Sequence, residues 1–347
     1  AYDGWKLRIE APGHKPVESR RIAPDEGTVV LDFALEPQED LAGVVLLPDG
    51  KAAAGVEVAL GTKGVYTSLQ GTSFGNAHNT PIARTDSEGR FFFPKPEGDY
   101  KLFAAAEAGF AEADGVDFPK TKTLKLAPWA RIEGRVMIGK KPGAGEFVTF
   151  QPDLGRSRNG SQIMFGYNPE VRADSEGRFV IEKVLPISGY AGRVLITTLT
   201  GSGQSHMPVG MTAVAIKPGE TSRVTIGGGG RPVVGRVVLD GQPETPVDWA
   251  RNQPVRIRVK PGLLDGLFGR NTGAWRSYGG NFDQNGRFRA EDIPPGSYEV
   301  VATVDGPPTV DRPVLAEQLG SGTLAFQVPA GDLDAPVDVG DVKVKIQ

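Results

Sequence analysis

Apolar and polar residues alternate in short runs from one end of the chain to the other. Val56, Val58 and Leu60 point one way with polar or small residues between them; Val148 and Phe150, then Val255, Ile257 and Val259, do the same. Period-two alternation bounded by turn residues predicts half-buried antiparallel strands. No stretch carries a long helical period, and several such strands per ~100 residues predict sandwiches.

The strands follow one plan, used three times. Thr85-Asp86-Ser87-Glu88-Gly89-Arg90-Phe91 returns as Ala173-Asp174-Ser175-Glu176-Gly177-Arg178-Phe179, and in looser form as Phe282-Asp283-Gln284-Asn285-Gly286-Arg287-Phe288. This pattern predicts a tight hairpin. The aspartate accepts from the backbone two residues on, glycine takes the left-handed turn position, and the aromatic opens the return strand. Ahead of each hairpin lies a strand with a central glycine: Gly43, Gly134 and Gly235, which lie 91 and 101 residues apart. That is a domain-sized spacing, not the ~20–50 of a solenoid. A Gly-x-Tyr strand follows at Gly98-Asp99-Tyr100 and Gly296-Ser297-Tyr298; Gly189-Tyr190 departs from that spacing. The fold class expected is therefore all-β: tandem Ig-like or prealbumin-like β-sandwich modules, beads on a string.

The predicted modules are residues 38–127, 128–227 and 228–347, the last with an inserted loop. Residues 1–37 read as the C-terminal half of a further module. Trp5 to Ile9 matches the Gly-x-Tyr strand, and Leu31, Phe33 and Leu35 match a closing strand. The chain is thus expected to be a segment of a longer protein, or to be completed by a strand from a neighbouring chain.

The order of these elements is glycine strand, turn, alternating strand, Asp-x-x-Gly-x-Phe hairpin and Gly-x-Tyr strand. It resembles the bacterial carboxypeptidase regulatory-like domain, a family similar to transthyretin-like and Cna-B-type modules. The resemblance implies an exported or envelope protein, extracytoplasmic, whose modules act as spacers, scaffolds or protein-interaction units. No catalytic constellation accompanies the repeat, so neither enzymatic activity nor a cofactor is expected. The Lys–Asn crosslinks of some such modules are not expected, because no lysine and asparagine recur at matching places.

Composition narrows the partners. The chain has 347 residues, 47 glycines and 28 prolines, the latter two distributed as turn punctuation. A net charge of −3 argues against nucleic acid, which needs clustered Lys and Arg. Arg256, Arg258 and Lys260 alternate with apolar residues, as on a strand's solvent face. With no cysteine there is no disulfide or thiolate metal site. No apolar run approaches the ~18 residues of a membrane helix, so direct membrane insertion of this segment is not expected.

Candidate chemistry is sparse. Gly71-Thr72-Ser73-Phe74-Gly75 matches the nucleophile-elbow pattern and His78 is near, but loop residues follow where a helix is required. His14, His78 and His206 are scattered. The aspartate turns supply too few oxygens for calcium. Gly227 to Gly230 has no Lys-Ser/Thr after it and reads as a flexible linker.

Three variable segments precede the hairpins. In the first two, Tyr66, Leu69 and Phe74, then Met164, Phe165 and Tyr167, are expected as core of an extra strand in their own modules. The third, ~261–281, is richest: Leu263, Leu264, Leu267, Phe268, Trp275 and Tyr278 are the candidate interaction residues, either packed on their own module or forming a contact patch. A protein partner is expected, through self-assembly or another envelope protein. Glycan binding by Trp275, Tyr278 and Trp249 is the alternative.

Overall fold

The computed structural model describes residues 4–9, 11, 13–75, 80–154, 163–199, 203–244, 246–260, 277–309 and 312–346. Its first strands are β1 (Arg8–Ile9), β2 (Val17–Glu18), β3 (Asp40–Leu46), β4 (Glu57–Thr62), β5 (Tyr66–Gln70), β6 (Ser73–Gly75), β7 (Ile82–Arg84), β8 (Arg90–Pro94), β9 (Tyr100–Ala106) and β10 (Gly109–Asp114). A short helix, α1 (Phe118–Thr121), leads into β11 (Thr123–Lys125). Next come β12 (Ala130–Ile138), β13 (Lys141–Pro142), β14 (Phe147–Pro152), β15 (Met164–Gly166), β16 (Glu170–Arg172), β17 (Arg178–Val184), β18 (Gly189–Leu199), β19 (Gly203–Val214) and β20 (Thr221–Gly227). The last are β21 (Arg231–Asp240), β22 (Val255–Val259), β23 (Ser277–Gly280), β24 (Arg287–Ile293), β25 (Gly296–Thr309), β26 (Arg312–Val328) and β27 (Val337–Ile346), with one 3-10 turn at Trp249–Arg251. The protein is all-β, as the alternation predicts.

Two compact units result. The first comprises Ala1–Trp129 and Leu154–Tyr167; the second comprises Ala130–Asp153 and Asn168–Gln347.

In the first unit, sheets β10-β9-β4-β7 and β11-β3-β8 share a core of Val45, Val58, Phe91, Phe93, Leu102, Phe118 and Leu124. A third sheet, β15-β5-β6, differs from expectation. Its strand β15 comes from the second variable segment and pairs in parallel with β5, Met164 opposite Tyr66. Phe165 stacks on Phe103 with centroids 4.3 Å apart. Its side chain therefore completes the first unit and not the module in which it was expected. Glycine at position 61 leaves the room, since a Cβ there would lie 2.9 Å from Ile163 and Phe103. At the start of the chain β1 and β2 pair, and Trp5 bridges Ile22. The closing strand expected at Leu31, Phe33 and Leu35 is not formed. These side chains are half-buried and their neighbours exposed, but no ladder partner is present among the described residues.

In the second unit β12 is flanked by β17 and β20, and a second sheet runs β16-β14-β18-β19. The remaining strands form one sheet, β23-β22-β25-β26-β27-β21-β24. It curls until its edges meet: a Cβ on Gly280 of β23 would lie 2.3 Å from the Arg289 carbonyl of β24. Val233, Val237, Ile257, Phe288, Val300 and Val342 fill its interior.

The repeated motif has a single structural cause. Gly43 is the cross-strand partner of Phe91, Gly134 of Phe179 and Gly235 of Phe288. Each phenylalanine ring lies over its glycine. A Cβ on Gly134 would stand 2.4 Å from the Phe179 ring and 2.6 Å from the Val224 carbonyl. The sheet thus admits an aromatic where an ordinary pair would crowd. The hairpins keep each ring in register. Asp86 Oδ1 accepts from the amides of Glu88 and Arg90, at 2.9 and 2.8 Å. Asp174 does the same with Glu176 and Arg178, and Asp283 with Asn285 and Arg287. Gly89, Gly177 and Gly286 have φ of 75°, 76° and 71°. These backbone bonds hold the Asp174 carboxyl below its usual range, with the Arg178 side chain adding to them.

Burial shifts other carboxylates the opposite way, Glu112 and Asp305 among them. Asp305 sits beside a ladder irregularity in β25, where Asn252 Oδ1 takes its amide and Asn252 Nδ2 donates to its carbonyl. Burial alone raises its carboxyl pKa. A carboxyl raised in the folded state weakens folding once ionised, so stability falls as pH rises through the window between the unfolded and folded values. Asp305→Asn is expected to raise the denaturation midpoint at neutral pH. That gain should vanish below pH ~4, near the unfolded aspartate value. A midpoint gain that persists unchanged at low pH would contradict this account.

Candidate functional site

The feature that stands out lies in the second unit, where β20 passes into β21 through Gly228, Gly229 and Gly230. The glycine run is not a loose linker. Its amides are donors, and they converge on one buried carboxylate, Asp292, which is 5% exposed. Gly230 and Gly139 donate to Oδ1 at 2.9 and 3.1 Å, and Gly228 donates to Oδ2 at 3.0 Å. Three backbone donors replace water around the charge, which is what burying a carboxylate demands.

Side chains are excluded at two of these glycines. A Cβ on Gly230 would lie 2.1 Å from the Asp292 backbone carbon, and one on Gly227 would lie 2.3 Å from Oδ2. Asp292 itself has φ of 60°, a conformation that aspartate tolerates better than most residues. It lies where the β21–β24 register shifts, between Arg231 and Val233.

Around this lock the β16-β14-β18-β19 sheet meets the seven-stranded sheet along a polar seam. Arg193 of β18 is 8% exposed; its Nη2 donates to the Glu291 carbonyl at 2.9 Å, and its Nη1 stands 3.5 Å from Glu146 Oε2. Thr197 donates to Asn281 Oδ1 at 2.6 Å, and Asn281 Nδ2 donates to the Ile196 carbonyl at 2.9 Å. At the surface Lys140 pairs with Asp332 and Asp334, at 2.7 and 3.4 Å. The Asp332 hydrogen bond raises the Lys140 pKa. A cleft of about 210 Å³ opens in the seam, lined by Arg193, Met211, Thr212, Tyr278, Asp292 and Pro294. Both Asp292 oxygens are engaged with backbone amides, so the arrangement holds segments together.

Of the candidate interaction residues, Tyr278 lies on β23, half-buried, 3.5 Å from the Cβ position of Gly210 and edge-on to Tyr298 with centroids 6.1 Å apart. Leu263, Leu264, Leu267, Phe268 and Trp275 lie outside the described residues. Trp249 does not stand out as a platform. Its ring packs edge-on to Phe282 at 5.3 Å, and a Cβ on Gly286 would lie 3.1 Å from it. Ser73 sits within strand β6, not at a strand-to-helix turn, and His78 is outside the described residues. His206 Nδ1 lies 2.9 Å from Glu170 Oε2, an exposed pair that its sequence position does not foretell. Among the described residues no group of three or more His, Asp or Glu could hold a metal ion. No helix among them is long and apolar enough to cross a membrane.

Asp292 and Arg193 are absent from the sequence-based candidates. A signal for Asp292 existed: counting from the hairpin arginines, the other two copies carry Lys95 and Lys183 at its place.

No family model matches the chain, and no curated protein matches it. Solved structures similar to it include the TIE protein of Bacillus anthracis, at 11% identity over 88% of this chain and 51% of that one, TM-score 0.21. The chain thus spans about half the length of that protein. Two others are the minor pilin GBS52 of Streptococcus agalactiae (18% identity, 55% of this chain and 94% of that one, TM-score 0.27) and BcpA, the major pilin subunit of Bacillus cereus (11%, 88% and 99%, 0.22).

Proposed function

We propose that this chain is a non-catalytic scaffold segment of an exported or cell-envelope protein, in which β-sandwich modules act as a spacer or assembly unit and the second and third modules are held in fixed geometry. The modules in this reading are the sequence repeats at residues 38–127, 128–227 and 228–347, with Leu154–Tyr167 of the second belonging to the compact unit that holds the first. The observation that carries this reading is the lock at Asp292. A flexible tether spends glycines on freedom, whereas here the Gly228 and Gly230 amides of the run, together with the Gly139 amide from the turn after β12, are committed to one buried carboxylate.

The absence of cysteine makes the test direct, since introduced cysteines carry unique labels. With labels at Lys217→Cys and Arg256→Cys, pulsed dipolar spectroscopy should give a narrow distance distribution in the parent protein. The distribution should broaden in Asp292→Ala, with the circular dichroism of the sheets retained. A broad distribution already present in the parent would overturn the fixed-spacer reading.

The contact surface of such a scaffold is placed by sequence at Leu263, Leu264, Leu267 and Phe268, with Trp275 and Tyr278 beside them, and its partner is a second copy or another envelope protein. Leu267→Ser with Phe268→Ser is then expected to lower the association state in sedimentation. Unchanged sedimentation would remove self-assembly through this patch.

A further inference from the structure

We infer that the chain is built to bear tension along its length, with three parallel strand pairs as its clamps. The basis is topological and does not depend on the Asp292 lock. In each repeat the first strand and the last strand are neighbours, and they are parallel. β3 pairs with β11, β12 with β20, and β21 with β27. In a parallel pair the beginning of one strand and the end of the other lie at opposite ends of the ladder. Tension entering at the start of β12 and leaving at the end of β20 therefore slides the two strands past each other. Every ladder bond is loaded at once, across its own axis. Antiparallel neighbours pulled from a shared end would open one bond at a time.

The clamps differ in length. Between β12 and β20 the register runs without a break from Arg131 opposite Thr221 to Met137 opposite Gly227. Between β21 and β27 it runs from Val233 opposite Val337 to Asp240 opposite Lys345, with one irregularity. Between β3 and β11 it covers only Val44, Val45 and Leu46 opposite Thr123, Leu124 and Lys125. The long clamps are also dry on one side. Ile132, Val136 and Ile226 on one, and Val233, Val237, Val342 and Val344 on the other, are buried. Water is thereby kept from exchanging with the ladder bonds on that face as they lengthen. The end of β20 is followed after only three glycines by the start of β21, so the load leaving one long clamp enters the next.

Single-molecule force spectroscopy on the full chain tests this, because forced unfolding follows the unfolding rate and not equilibrium stability. With handles at the two chain ends, three extensions of about 30, 35 and 40 nm are expected, from ~3.6 Å per released residue. The shortest should come first, from the short β3–β11 clamp. In a second variant the handles are attached at Arg131→Cys and Arg223→Cys, near the starts of β12 and β20, so that the same pair is peeled from one end. Arg131 pairs with Glu133 and Glu182, and Arg223 with the same Glu133, at a largely exposed surface where ion pairs contribute little; unchanged thermal melting will show that only the direction of pulling differs. The ~35 nm event should then occur at a severalfold lower force. Equal forces in the two geometries, or end-pulled extension without discrete events, would overturn the proposal.

Discussion

Phe179→Ala is expected to cost about 3–5 kcal/mol of stability, the range for deleting a fully packed aromatic ring. Phe179 is 4% exposed and fills the space that Gly134 leaves open opposite it. The reverse change, Gly134→Ala, adds one methyl where the ring and the Val224 carbonyl stand at 2.4 and 2.6 Å. The ring can tilt, but the carbonyl belongs to the parallel ladder and cannot move alone. Overpacking of this kind costs about 1–3 kcal/mol. The two changes should couple: with the ring removed, the alanine costs less, and the remainder measures the carbonyl contact. Chemical denaturation of the four proteins reads this directly. Strict additivity would mean that ring and glycine are neighbours without being complementary.

The same pair shows how far the sequence could be read. The glycine strand and the Asp-x-x-Gly-x-Phe hairpin were visible as a repeat because both are local: alternation, a turn aspartate and a left-handed glycine each carry their own physical signature. That the glycine and the phenylalanine are one device depends on register across some 45 residues, and no local rule fixes register. Strand β15 was illegible for a stronger reason. Its three residues pair in parallel with β5, nearly 100 positions away, and their apolar character predicts burial but not the surface against which they bury. The closing strand expected at Leu31 to Leu35 shows the converse: alternation is present, yet a strand needs a partner ladder, which alternation cannot supply. The glycine run misled because glycine was weighed by its missing side chain and not by its amide.

That amide chemistry sets the second large effect. Asp292→Ala removes the acceptor of the Gly139, Gly228 and Gly230 amides together and leaves buried donors unpaired, at about 1–3 kcal/mol each where water cannot enter. It also places alanine at φ of 60°, a conformation that costs an ordinary residue about 1–2 kcal/mol. Relaxation of the glycines and entry of water offset part of this, so a net loss of at least ~3 kcal/mol is expected, comparable to breaking a buried charged contact. Asp292→Asn separates the contributions. Asparagine accepts the left-handed conformation and keeps one oxygen for the Gly139 and Gly230 amides, but its amide group would face the Gly228 donor. Its cost should therefore fall between those of the parent and the alanine variant. Hydrogen exchange gives the site-resolved check. The amides of Gly139, Gly228 and Gly230 should be protected in the parent, and Gly228 alone should lose protection in Asp292→Asn. All three should exchange freely in Asp292→Ala. Protection that survives in the alanine variant would mean that the strands, and not the carboxylate, hold this junction closed.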